Sequence, residues 1–174
     1  MKYFPGFILV FTVLSACSPT ENLIEEAEQE IAEEIASPAP PWYRATVQSS
    51  ADSLTFHGYS MASAYDSENA DALARDTATN NLRFEIDRLA EETRRNLADS
   101  SDGTEYMTPS FMIQLRNAIR YMDLSGSEIE LQTDYSDEGI YYTYARATMT
   151  METAAQQLAV ILNDPGFINH MLSQ

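Results

Sequence analysis

The stretch "ADALARDTATNNLRFEIDRLAEETRRNLA", residues 70 to 98, decides how the rest of this chain is arranged. Ala70, Ala74, Ala78, Leu82, Ile86, Leu89, Thr93 and Leu97 follow the spacing of one helical face. The period predicts a helix from Asp66 or Ser67, either of which suits an N-cap, to about Ala98, roughly 50 Å at about 1.5 Å per residue. Its alanine half lets a sheet or another helix approach closely, whereas the Leu and Ile half fills a thicker core. The opposite face pairs Asp71 with Arg75, Arg83 with Asp87, Arg88 with Glu92 and Glu91 with Arg95. Each exposed pair contributes only about 0.3 to 0.5 kcal/mol, so this face is expected to be solvated.

Downstream, "DSSDGTE" (Asp99 to Glu105) reads as a loop, and Thr108 and Pro109 open a second helix bearing Phe111, Met112, Leu115, Ile119 and Met122, ending near Gly126. Alternation at Ile129, Leu131 and Thr133, a turn with Gly139 and an aromatic run from Ile140 to about Thr150 predict a hairpin. A last helix from about Glu152 to Leu162 is broken by "NDPG" before an apolar tail with Phe167, Ile168 and Leu172. Upstream, "WYRATVQ" (42–48) and "LTFHGYS" (54–60) read as two strands joined by "SSADS" (49–53). The order ββααββα predicts an α+β fold: a mostly antiparallel sheet of about four strands, packed by one long helix and two shorter ones.

The first residues speak to location. After Lys2 the run "YFPGFILVFTVLSA" (3–16) carries no charge, and "SPTEN" after Cys17 is polar. This is the outline of a signal peptide, and the run falls short of the about 20 residues that a membrane-spanning helix needs. "LSAC" (14–17), which holds the only cysteine, resembles the lipobox of bacterial lipoproteins. On that resemblance residues 1–16 are a signal peptide and Cys17 is the acylated first residue of the mature chain. Stable anchoring takes about two acyl chains, and a lipoprotein cysteine carries two on its thiol and often a third on the new amine. Cleavage would leave no cysteine for a disulfide, a thiolate metal site or a nucleophile. Residues 17–41 follow as a tether: "TENLIEEAEQEIAEEIAS" (20–37) is strongly acidic with a short apolar period, and "SPAPP" (37–41) stiffens the chain. A single α+β domain is expected over 42–174.

The formal charge is −17, and Lys2 is the only lysine. Nucleic acid is excluded as a partner on this ground, because such binding draws on Lys and Arg at phosphates. Electrostatic attraction to anionic lipid is disfavoured as well, which leaves the acyl anchor to hold the protein at a membrane. The two histidines, His57 and His170, are too far apart in sequence to suggest a metal pair, and no G-x-S-x-G elbow is present. "DYSDEG" (134–139) lacks the glutamate a calcium loop needs at its twelfth position, where Ala145 stands. No metal, cofactor or catalytic residue is therefore expected.

The aromatic surplus is Trp42, Tyr43, Tyr59, Tyr141, Tyr142 and Tyr144. In a strand Tyr142 and Tyr144 share one side and Tyr141 takes the other, so one set faces the core and the other is exposed or covered. Sheet packing under helices and an interface both account for such a set. Trp42, Tyr43, Tyr141, Tyr142 and Tyr144 are the interaction candidates, since Tyr and Trp are enriched where proteins meet.

"PPWY" (40–43) after an acidic spacer, "FHGYSMA" (56–62), alanines at four-residue spacing leading to Leu82 and Ile86, and the late strand "IYYTYAR" (140–146) together resemble the LPP-twenty family of small bacterial lipoproteins. The likeness covers roughly residues 40 to 150, and departs from the family at Gly58-Tyr59-Ser60, where a second glycine is more usual. The resemblance implies an α+β envelope lipoprotein of the Gram-negative outer membrane. Some members are surface antigens, and others are flagellum-associated proteins that assemble into rings. The expectation is a non-enzymatic, lipid-anchored outer-membrane module that self-associates or docks an envelope protein. A periplasmic or surface module that binds a ligand or peptide is the alternative, and a hydrolase built on paired carboxylates stands third.

Overall fold

The computed structural model describes residues 39–100 and 103–173. The expected signal peptide, Cys17 and the tether up to residue 38 lie outside the described residues. The elements run β1 (Ser49–Ala51), β2 (Thr55–Ala64), α1 (Ser67–Ala98), a 3-10 helix (Gly103–Met107), α2 (Pro109–Arg120), β3 (Glu128–Tyr135), β4 (Tyr141–Thr150), α3 (Met151–Leu162) and α4 (Pro165–Leu172). The strands form one antiparallel sheet in the order β1-β2-β4-β3, and the fold is α+β as the sequence predicts.

The long helix forms where its period places it. Asp66 is the N-cap, its carboxylate accepting the Asn69 backbone N–H at 2.9 Å and the Asn69 side-chain amide at 2.7 Å. These bonds satisfy an orphan donor at the helix start, where the macrodipole also favours negative charge. Ala70, Ala74 and Ala78 are fully buried against the sheet. They let the backbones come so close that a Cβ at Gly58 would stand 2.1 Å from the Ala78 carbonyl oxygen and 2.3 Å from the Leu82 nitrogen. Ser60 uses the same proximity, its hydroxyl donating to the Ala74 carbonyl at 2.5 Å. Beyond this contact Leu82, Ile86, Leu89 and Ala90 meet Leu115, Ile119, Leu158, Phe167 and Met171 in one core.

The charged face of α1 is less uniform than the spacing implies. Arg88–Glu92 and Glu91–Arg95 pair at 3.1 Å, but among the described residues Asp71–Arg75 and Arg83–Asp87 do not. Asp71 instead accepts hydroxyl hydrogen bonds from Thr133 at 2.6 Å and Thr143 at 2.7 Å, tying α1 to β3 and β4. Glu85, next to the core residue Ile86, is 3% exposed. Its carboxylate accepts from the Ser49 hydroxyl at 2.9 Å and from Arg88 Nε and Nη2 at 3.1 and 2.7 Å. A buried carboxylate needs such partners, and these also hold β1 against the helix.

Four boundaries differ from expectation. The first strand is not 42–48 but Ser49–Ala51, because the Asp52 carboxylate accepts the backbone N–H groups of Leu54 and Thr55, both at 2.8 Å, and closes the hairpin there. Residues before it turn twice, with Tyr43 N–H donating to Pro40 O at 2.8 Å and Val47 N–H to Arg44 O at 3.0 Å, and form a strap. The segment read as the 99–105 loop enters a 3-10 helix at Gly103, and α2 stops at Arg120. The apolar tail is a fourth helix: Asn163 ends α3 in the left-handed region (φ 51°), and Asp164 caps α4, accepting from Phe167 N–H at 2.9 Å. The order is thus ββααββαα.

Candidate functional site

Strand alternation sorts the sheet into two unlike faces. Phe56, Gly58, Ser60, Thr143, Ala145, Ala147 and Met149 point toward α1 and are buried. Their partners in alternation, His57, Tyr59 and Met61 on β2 and Tyr142, Tyr144, Arg146 and Thr148 on β4, point to the other side. On β3 that outer face carries Glu128, Glu130, Gln132 and Asp134. Among the described residues, the segment laid over this face is the strap.

Trp42 anchors the strap. Its ring stacks on Tyr59 with centroids 6.5 Å apart and an interplanar angle of 24°, and the Arg146 guanidinium lies 5.2 Å from its centroid. Arg146 is held in turn by Glu130 across the strands at 2.5 Å. Tyr43 meets Tyr144 edge to face at 4.8 Å, and Tyr144 is 1% exposed beneath it. Burial raises the phenol pKa of Tyr43. For Tyr144 burial comes first, and the neighbouring Tyr43, Asp134 and Tyr142 add to the rise. Beside Trp42 a cavity of about 310 Å³ is lined by Pro41, Trp42, Arg44, Val47, Ser50 and Tyr59. It stands at the small end of the range for small-molecule sites.

His57 also stacks on Tyr59, with ring centroids 6.0 Å apart. Its Nδ1 is 3.2 Å from the Thr148 hydroxyl, and its Nε2 is 2.9 Å from the Thr55 hydroxyl and 3.4 Å from Asp52 Oδ2. Hydroxyl, imidazole and carboxylate therefore stand in a row. Asp52 is occupied by the turn it closes, however: its carboxyl lies far below the usual range, first through the Leu54 backbone N–H, then through the Thr55 hydroxyl and N–H. The row fastens β1, β2 and β4 together.

Of the five interaction candidates, the fold brings Trp42, Tyr43 and Tyr144 into contact with one another or with shared neighbours, and places Tyr142 on the same face. Tyr141 is not with them. It lies on the opposite side at the hairpin end, with its ring 4.6 Å from that of Tyr135. Tyr59, His57, Arg146 and Glu130 belong to the site without having been singled out for it. Cys17 lies outside the described residues. Among those residues no helix is long and apolar enough to cross a membrane, and no group of three His, Cys, Asp or Glu side chains is placed to hold a metal ion. Comparison of the chain with protein-family models, with curated proteins and with solved structures found no match.

Proposed function

We propose that this protein is a non-enzymatic, lipid-anchored module of the outer membrane. Cys17 carries the acyl anchor, residues 18–41 form the tether, and the outer face of the sheet is the recognition surface. The observation that carries the surface half is the one-sided packing of the sheet. The helices pack on one face, and on the other an aromatic and charged surface centred on Tyr59, Tyr144 and Arg146 lies under a strap held by Trp42 and Tyr43. Aromatic residues with arginine on an exposed scaffold are the composition of protein contact surfaces. The anchor half rests on "LSAC" and on the resemblance to LPP-twenty lipoproteins. Self-association and docking of an envelope protein both use this face.

The test is metabolic labelling in a Gram-negative host with an alkyne-tagged palmitate, followed by membrane fractionation. The full chain is expected to take up label and sediment with the outer membrane, and Cys17→Ala to lose both. Label retained in Cys17→Ala refutes the anchor. Light scattering of the same detergent-purified chain over a salt series then reads self-association, which screening of the −17 charge should strengthen. A monomer at every salt leaves the face to a different partner.

A further inference from the structure

Among the described residues three buried side-chain polar atoms have no hydrogen-bond partner: Arg83 Nε, Asp134 Oδ2 and the Tyr144 hydroxyl. Two of the three are neighbours on the outer face. The β3–β4 register sets Gln132 opposite Tyr144 and Asp134 opposite Tyr142, so Asp134 is the diagonal neighbour of Tyr144 on the same side. Tyr43 closes over Tyr144 at 4.8 Å. Buried polar atoms in folded proteins are almost always paired, and a carboxylate oxygen and a phenol oxygen left unpaired on adjacent strands call for a polar group that reaches both.

The donor's chemistry follows from what surrounds it. A carboxylate oxygen only accepts, so the missing group carries N–H or O–H. The ring faces of Tyr43 and Tyr144 attract a cation, and the −17 charge of the chain concentrates cations at its surface. A primary ammonium group has three N–H donors on one positively charged atom, enough for Asp134 Oδ2 and the Tyr144 oxygen together. The domain cannot supply it, because no lysine occurs after Lys2. The cation that β4 places on this face, Arg146, is committed to Glu130 and Trp42.

We propose that Asp134 and Tyr144, roofed by Tyr43, bind the primary ammonium group of a small alkylamine. Entry needs only the strap to lift. The backbone hydrogen bonds of the strap, Tyr43 N–H to Pro40 O and Val47 N–H to Arg44 O, are internal to it, and the first to the sheet is donated by Tyr59 N–H to Gln48 O at 2.8 Å. The strap can therefore rise about Gln48 without breaking the β-ladder. This goes beyond the anchor-and-surface reading and stands separately from it, since a chain without its anchor keeps the site.

The experiment is calorimetric titration of the detergent-purified full chain with 1,5-diaminopentane at constant ionic strength. The controls are 1,5-pentanediol, which lacks the charge, and tetramethylammonium, which has the charge and no N–H. Saturable binding of the diamine, with neither control binding, is expected. Asp134→Asn should weaken it at least tenfold, and Tyr144→Phe severalfold with no fall in melting temperature, because the hydroxyl removed has no partner in the fold. Cys17→Ala should bind as the parent does, which separates this result from the fate of the anchor. Absence of saturable binding overturns the proposal, as does equal binding by tetramethylammonium. So does an undiminished diamine affinity in either site variant, which would assign the response to diffuse surface charge.

Discussion

Gly58→Ala should be among the most damaging single-methyl additions available in this chain. The new Cβ would lie 2.1 Å from Ala78 O, 2.3 Å from Leu82 N and 2.9 Å from the Asn81 carbonyl carbon. All three are helix backbone, so no side chain can swing aside. An ordinary contact starts near 3.4 Å, and α1 must withdraw by about 1.3 Å along the line to Ala78 O. A radial gap of about 0.5 to 1 Å already forfeits a quarter to a half of the dispersion well, and Ala70, Ala74 and Ala78 all pack at that depth. Withdrawal also stretches the Ser60 hydroxyl bond to Ala74 O beyond 2.5 Å. Overpacking ordinarily costs about 1 to 3 kcal/mol, and with rigid backbone on both sides the cost belongs at about 3 kcal/mol or above. That is a large share of the about 5 to 15 kcal/mol by which domains are stable.

Urea denaturation followed by far-ultraviolet circular dichroism reads this directly. With a slope of about 1 to 3 kcal/mol per molar, the midpoint should fall by at least about 1 M. Gly126→Ala is the control, for a Cβ there meets nothing within 4 Å, and its midpoint should stay in place. A Gly58→Ala midpoint within experimental error of the parent would refute the close approach of α1 to β2, and with it the account of why this helix carries alanine at every fourth position.

The remaining predictions concern the strap and the helical end of the domain. Trp42 is the only tryptophan, so its emission reports the strap alone. One aromatic stack and one exposed cation–π contact contribute only about 1 to 2.5 kcal/mol together, and the Trp42 transition in urea should therefore precede loss of circular dichroism. Tyr59→Ala should shift native emission to the red with the secondary structure unchanged, and coincident transitions in the parent would argue against a separable strap. The Tyr106 phenol is pushed up to about 12, first by burial and then by the charges of Asp164 and Glu105. A raised phenol favours the neutral form in the folded state, so its contribution is complete below the unfolded value of about 10 and is lost as pH rises toward about 12. Tyr106→Phe should flatten the fall in urea midpoint between about pH 10 and 12, and an unchanged slope would place the titration elsewhere.

Legibility followed the length of the repeating unit. Helix α1 could be read because its buried positions recur many times, and the β3–β4 hairpin because alternation and Gly139, which adopts φ 84°, agree on the turn. The first strand could not, since β1 is three residues long and its neighbours Trp42, Tyr43 and Val47 have strand-like composition while bending back over the sheet. Helix α4 is too short for a period to declare itself. Its start was still written in the sequence: Asp164 before Pro165 is as good a helix opening as a helix stop, and Asn163 supplies the stop. At the site, alternation correctly groups Tyr142 with Tyr144 and separates Tyr141. Tyr59 meets Arg146 through the register between β2 and β4, strands far apart in sequence, which local pattern does not encode.

The two faces of the sheet are linked by volume. Close approach of α1 requires Gly58, Ser60, Ala145 and Ala147 inside, and alternation then sends the bulk of β2 and β4, Tyr59, Met61, Tyr142, Tyr144 and Arg146, outward. An exposed aromatic surface of that kind invites association unless something lies over it. The strap answers this only around Trp42 and Tyr43, leaving Met61 exposed and Tyr142 half-buried. The strap is also the route by which the domain joins the residues before it. A ligand bound under Tyr43 enters when this segment lifts and is enclosed when it settles back, so the strap gates the site. If lifting the strap costs about 1.4 kcal/mol, the open form that admits the ligand is about a tenth as populated as the closed one, and entry slows about tenfold while the affinity of the closed site is unchanged.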